Sequence, residues 1–130
     1  MTENVLEKII QKKNEKIVNL KKTISLESLD ELISVNKTFI NFKEKIKNNT
    51  KEGKFSIISE IKKASPSAGV IIKDYDPVKI ANIYYDNKAT CLSVLTEEDF
   101  FFFFLINIRK IKKEINFLIL FNDFFIDVFH

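Results

Sequence analysis

Between Ser59 and Ile71 the chain reads SEIKKASPSAGVI, its densest group of side chains able to move a proton or hold an anion. Side chains along a strand alternate between faces, so Glu60 and Lys62 are expected to point the same way. They stand where an apolar run gives way to a loop. In parallel α/β proteins, ligands bind beyond the carboxyl ends of the strands. A carboxylate beside an ammonium, followed by Ser65-Pro66-Ser67, supplies a proton-transfer group, an anion-binding charge and two hydroxyls. That set suits an anionic substrate, phosphate or carboxylate. The plainer alternative is an exposed Glu-Lys pair leading into a Ser-Pro turn. Spacing alone favours it, because such pairs are common and weak.

Elements able to position these residues are visible on either side. Phe55–Ile61, FSIISEI, reads as a short strand buried on both faces. Asp76 and Pro77 are an N-cap and a first-turn proline opening a helix whose packing face is Ile80, Ile83 and Tyr84. ATCLSVL reads as a second buried strand, Leu105 to Glu114 as a helix, and INFLIL as a third strand. Strand, helix, strand, helix, strand at this spacing predicts right-handed crossovers and a parallel sheet.

The amino-terminal third is different. Leu6, Ile9, Ile10, Ile17, Leu20 and Ile24 form one apolar stripe of an amphipathic helix. Ser25 is placed to cap a second helix with an apolar face of Leu26, Leu29, Leu32 and Ile33. A third helical stretch is expected near Phe39 to Ile46, ending in a polar linker, KNNTKEGK. The many lysines here read as a solvated face.

Composition narrows the function classes. With 130 residues, 45% hydrophobic and 30% charged, the chain is globular and large enough to bury a core. A net charge of +3 is too small and too dispersed for a nucleic-acid partner. The single cysteine, Cys91, excludes an internal disulfide framework and fits a reducing compartment. The charged first residues suit neither a secretory nor a transit signal. The longest uncharged apolar run, Phe100 to Ile106, falls far short of the ~20 residues that span a membrane. A cytoplasmic protein with no membrane partner is expected. Oligomeric state is not legible.

The run IISEIKKASPSAGVI, followed by DYDPVKIANIYYDNKATCLSVLTEEDFF, closely resembles indole-3-glycerol phosphate synthases of tryptophan biosynthesis. The match is strong from Phe55 to Phe101. The resemblance implies an α/β fold, a partial (β/α)₈ barrel of about three strand–helix units. Residues 1–54 would form the family's helical extension and 55–130 the first part of a truncated barrel. It also implies closure of the ring of an anthranilate-derived ribulose phosphate with loss of CO₂ and water, without metal or cofactor. Glu60 would organise the active site and Lys62 contact the anionic substrate. Ser65 and Pro66 would lie beside the substrate carboxylate, and Phe101 and Phe124 around its aromatic ring. Simple core packing is an equal expectation for these two rings.

Three features depart from the family. Such barrels take about 250 residues, so the family's glutamate base and much of its phosphate site would lie on later strands. The lysine that serves as general acid before an Asp-Phe pair is here Asn122, in FNDFFID, and an amide has no titratable proton near neutrality. Phe102, Phe103 and Phe104 replace a Gly/Ser-bearing turn, and Leu118, Val128 and Phe129 replace further family residues. Ten of the 13 phenylalanines lie from Phe100 onward, and no glycine or proline follows Pro77. Two readings stand: a copy corrupted towards thymine-rich codons, and a non-catalytic half-barrel interaction module. The first is favoured because the losses strike turns and catalysis together. The three extra rings are expected to lie exposed or to lengthen the next helix, favouring aggregation.

Overall fold

The computed structural model describes residues 4–35, 40–101 and 105–129. It divides into two compact units, Met1–Phe39 with Phe124–His130, and Ile40–Asp123.

In the first unit, α1 (Val5–Lys21) starts where the Asn4 side chain accepts the Leu6 amide at 3.1 Å. The predicted apolar stripe narrows to Ile9 and Ile17, buried with Lys13 between them, while Leu6, Ile10 and Leu20 stay substantially exposed. The second helix, α2 (Leu26–Val35), is capped as expected: the Ser25 hydroxyl accepts the Ser28 amide at 3.2 Å. Its apolar face is not covered, with Leu26, Leu32 and Ile33 all exposed. The Lys21 ammonium donates to the Asp127 carboxylate at 2.7 Å and lies 5.2 Å from the Phe129 ring centroid, a cation–π distance.

The second unit opens with α3 (Phe42–Lys51), capped by the Asn41 side chain on the Glu44 amide at 3.0 Å. The segment expected as a linker from Lys47 is therefore largely helix, because Asn41 caps it and Gly53, at φ 67°, ends it. Phe39, where this helix was expected to start, lies outside the described residues.

Strands β1 (Ile58–Ile61), β4 (Cys91–Leu95) and β5 (Ile119–Asn122) form a parallel sheet in the order β1-β4-β5. Between β1 and β4 come a two-residue hairpin, β2 (Ala64–Ser65) with β3 (Gly69–Val70), and α4 (Pro77–Asp86). The short α5 (Glu98–Phe101) and α6 (Leu105–Glu114) lead to β5. The alternation of parallel strands with helices matches the expected α/β class.

The helix-facing core joins Ile61, Leu92 and Val94 of the sheet to Ala81, Ile108, Ile111, Ile115 and Phe117. Asp76 caps α4 as predicted, accepting the Val78 and Lys79 amides at 3.0 Å each. Tyr84 and Ile80 pack against the core, but Ile83 turns outward, 51% exposed, and Ala81 takes the buried position. β4 is buried along its whole length, as read from ATCLSVL. β1 is not: only Ile61 is buried, and Phe55 is 92% exposed. β1 pairs only with β4 among the described residues, and an edge strand lacks the neighbour that would cover Phe55 to Ile58. The third strand begins four residues later than expected: Ile115, Phe117 and Leu118 are buried ahead of it, and the first bond to β4 is from the Leu92 amide to the Leu118 carbonyl at 2.8 Å. Phe102 to Phe104 lie outside the described residues.

Candidate active site

Leu92 and Val94 face the helices, so Ser93 and Leu95 project from the opposite face of the sheet. The strand register extends that face sideways. Glu60 is paired with Ser93 and Ser93 with Leu120, while Leu95 is paired with Asn122. One step beyond the β1–β4 register places Lys62 level with Leu95, hence in the row of Asn122. The three residues expected to do chemistry, Glu60, Lys62 and Asn122, thus share the face away from the helices, at the carboxyl ends of the strands.

The first two touch. The Lys62 ammonium lies 2.9 Å from a Glu60 carboxylate oxygen, with both side chains about one-third exposed or more. A pair this open contributes little to stability, about 0.2–1 kcal/mol. Its consequence is geometric: each long side chain holds the other at the strand end. The Tyr84 hydroxyl donates to the Glu60 carbonyl at 3.3 Å and ties α4 to the same point.

Ser65, expected beside the substrate carboxylate with a plain Ser-Pro turn as the alternative, sits in the β2–β3 hairpin. Its hydroxyl accepts the Ala68 amide at 3.1 Å, and Gly69, at φ 65°, takes the left-handed conformation that lets the chain reverse. Pro66 and Ser67 are exposed in the turn. The short helix α5 packs against β2, so the element carrying Phe101 meets the element carrying Ser65. Phe101 itself is buried, 9% exposed. Asn122 is exposed at the end of β5, and its carbonyl accepts the Thr96 amide at 3.2 Å. Phe124 is half-buried and belongs to the other compact unit.

Cys91 lies on the same face, away from the helices, beside Ile58 in the register, but it is fully buried and burial pushes its thiol pKa up. A thiol held protonated is a poor nucleophile. Three further polar residues, not expected from the sequence, stand at this rim. Thr96 donates its hydroxyl proton to the Asp123 carboxylate at 2.7 Å, and Glu97, 1% exposed, accepts the Asp99 and Phe100 amides. The available signal was the run of polar residues, Thr96-Glu97, directly after a fully buried strand, CLSVL.

Comparison with known proteins agrees with this architecture. The family model for indole-3-glycerol phosphate synthase matches residues 6–129. An indole-3-glycerol phosphate synthase of Trichodesmium erythraeum is 36% identical over 123 residues, 95% of this chain and 41% of the relative. One from Prochlorococcus marinus strain AS9601 is 40% identical over 127 residues, 97% of this chain and 42% of the relative. One from Desulforamulus reducens is 37% identical over 123 residues, 95% of this chain and 45% of the relative. The chain spans about two fifths of the length of these curated relatives. A three-stranded parallel sheet with its polar rim, matched from residue 6 to residue 129, is the opening part of an α/β barrel, and the chain belongs to the indole-3-glycerol phosphate synthase family.

Proposed function

We propose that the chain supplies the first part of a cytoplasmic indole-3-glycerol phosphate synthase. The helical extension, 1–54, precedes a barrel segment, 55–130. The reaction closes the ring of 1-(2-carboxyphenylamino)-1-deoxyribulose 5-phosphate, releasing CO₂ and water, with no metal, cofactor or nucleic acid called for. The observation that carries this reading is the Glu60–Lys62 pair on the row-sharing face with Asn122. Lys62 meets the anionic substrate and Glu60 fixes it. Ser65 and Pro66 flank the substrate carboxylate, and Phe101 and Phe124 its ring. The residue at 122 stands where a departing oxygen receives a proton. Asn122 cannot give one, and 1–130 alone has neither the base nor the phosphate site expected on later strands, so it is inactive by itself.

The test is a fusion of 1–130 to the remaining barrel strands of the Trichodesmium relative, carrying Asn122→Lys, assayed for formation of indole-3-glycerol phosphate. Turnover that disappears in Glu60→Ala supports the reading. A folded fusion without turnover overturns it, and turnover by 1–130 alone overturns the assignment of inactivity.

A second reading, a non-catalytic half-barrel module, draws on the open sheet edges, where Ile58, Leu120 and Phe121 are each more than 40% exposed. It requires a defined complex in light scattering. Monomers or heterogeneous aggregates count against it.

A further inference from the structure

The dipeptide Thr96-Glu97, directly after β4, makes bonds in two directions. Sideways, the Thr96 amide donates to the Asn122 carbonyl at 3.2 Å and the Thr96 hydroxyl to the Asp123 carboxylate at 2.7 Å. Forward, one Glu97 carboxylate oxygen accepts the Asp99 amide at 3.2 Å and the other the Phe100 amide at 2.6 Å. The next residue is Phe101. The rim therefore has one anchor with two arms, one ending on Asn122 and Asp123 and the other on the residues just before Phe101.

Stability alone does not account for this choice. Glu97 is 1% exposed, and taking a carboxylate out of water is costly unless its oxygens are well bonded. The helix it caps, α5, has four residues, too few to be stable by its own hydrogen bonds. A surface Asp or Ser would cap such a turn without burying a charge. A buried two-oxygen cap instead fixes where the turn begins, and with it the placement of α5, the element that carries buried Phe101 and packs against β2. The Thr96–Asp123 bond does the same for the end of β5, where a freely moving strand end would let the side chain at 122 wander.

We propose that Thr96 and Glu97 are positioning residues of the ring-closing site, Glu97 acting through Phe101 on the aromatic amine part of the substrate and Thr96 through Asp123 on the group at position 122. This rests on the ring-closing reading above. The first measurement does not depend on that reading: amide hydrogen exchange by NMR on 1–130. Asp99 and Phe100 exchange slowly in the parent, one of the two stays slow in Glu97→Gln, and both are fast in Glu97→Ala. Exchange unchanged by Glu97→Ala overturns the role of Glu97. The second uses the Asn122→Lys fusion. Glu97→Ala raises KM about tenfold or more with kcat little changed, and Glu97→Gln recovers part of the loss. Thr96→Val, of nearly equal size, lowers kcat by a similar factor and leaves KM in place. A purely structural role lowers the folded fraction and leaves both constants of the folded enzyme at parent values, and that result overturns the proposal. A fusion without turnover sinks the ring-closing reading instead, leaving the exchange measurement to decide whether Glu97 holds the loop.

Discussion

Lys88 and Gly53 occupy the same position in two copies of one helix-ending motif. After α3 the Lys54 amide reaches the Asn49 carbonyl at 2.8 Å and Gly53 the Thr50 carbonyl at 3.1 Å. After α4 the Ala89 amide reaches Tyr84 and Lys88 reaches Tyr85, both at 3.0 Å. The turning residue is left-handed in each, φ 67° at Gly53 and φ 65° at Lys88. Glycine adopts this conformation freely, whereas a side chain is strained there by about 1–2 kcal/mol, partly offset by glycine's greater freedom when unfolded. Lys88→Gly is expected to raise stability by about 0.5–1 kcal/mol in urea unfolding. Gly53→Ala is expected to lower it by a similar amount, purely from backbone strain, since an added Cβ meets nothing within 4 Å. A neutral or destabilising Lys88→Gly contradicts this account.

The Lys21–Asp127 pair predicts a pH dependence. The Lys21 hydrogen bond, helped by the Phe129 amide, holds the Asp127 carboxyl below its ordinary value. A depressed folded pKa means that the contribution is present above the unfolded value of about 3.9 and is lost as pH falls through the folded one. Titration of the Asp127 side-chain carbon by NMR is expected to give a midpoint below the ordinary aspartate range. In Lys21→Met the midpoint moves upward but not fully, because the Phe129 amide still donates to Asp127 at 3.1 Å. A midpoint unmoved by Lys21→Met removes the ion pair from the explanation.

Local signals in the sequence were enough where local chemistry decides the outcome. Asp76-Pro77 starts a helix because the carboxylate and the fixed proline φ act within one turn. CLSVL is buried because an apolar run without a charge has no solvated face to offer. Glu60 and Lys62 fall on one face because strand period allows nothing else. What needed tertiary partners was not legible. Phe55 to Ile58 look like core, yet their exposure depends on what lies beside β1. Ala81 and Ile83 lie two residues apart, on different sides of α4, and the side that packs on the core carries the smaller of the two. Thr96 and Asp123 carried no signal of pairing, since their bond joins residues brought together only when β4 and β5 align.

Ile111 lies at the centre of the helix-facing core with no exposed surface, packed with Leu92, Val94 and Ala81. Ile111→Ala removes three carbons from a site whose neighbours sit on rigid strands and helices, so collapse is incomplete. A loss of about 2–5 kcal/mol is expected, with Ile111→Val costing about 0.5–1.5. Thermal unfolding of the two variants checks the order. A loss below 1 kcal/mol for Ile111→Ala means that the core is not packed around this residue.

Asn122 gives the sharpest functional prediction. Its row on the sheet contains Leu95 and, one register step beyond β1, Lys62, so Cα atoms at 62 and 122 stand two strand spacings apart, about 10 Å. On the proposed ring-closing reading, the substrate would lie across that span, its anionic group held by Lys62 at one side and the proton supplied from position 122 at the other. An amide at 122 can fill the space and accept or donate a hydrogen bond, but cannot complete a proton transfer. In the barrel fusion, Asn122→Lys is expected to raise kcat by about 10²–10⁴-fold over the Asn122 parent. The pH profile distinguishes proton donation from charge alone: with lysine the rate falls as pH rises through the lysine pKa, while the asparagine parent lacks that limb. Asn122→Arg keeps the charge but holds its proton above pH 12, and it is expected to bind substrate without recovering the rate. If the arginine variant matches the lysine variant, position 122 acts by electrostatic attraction and not as an acid.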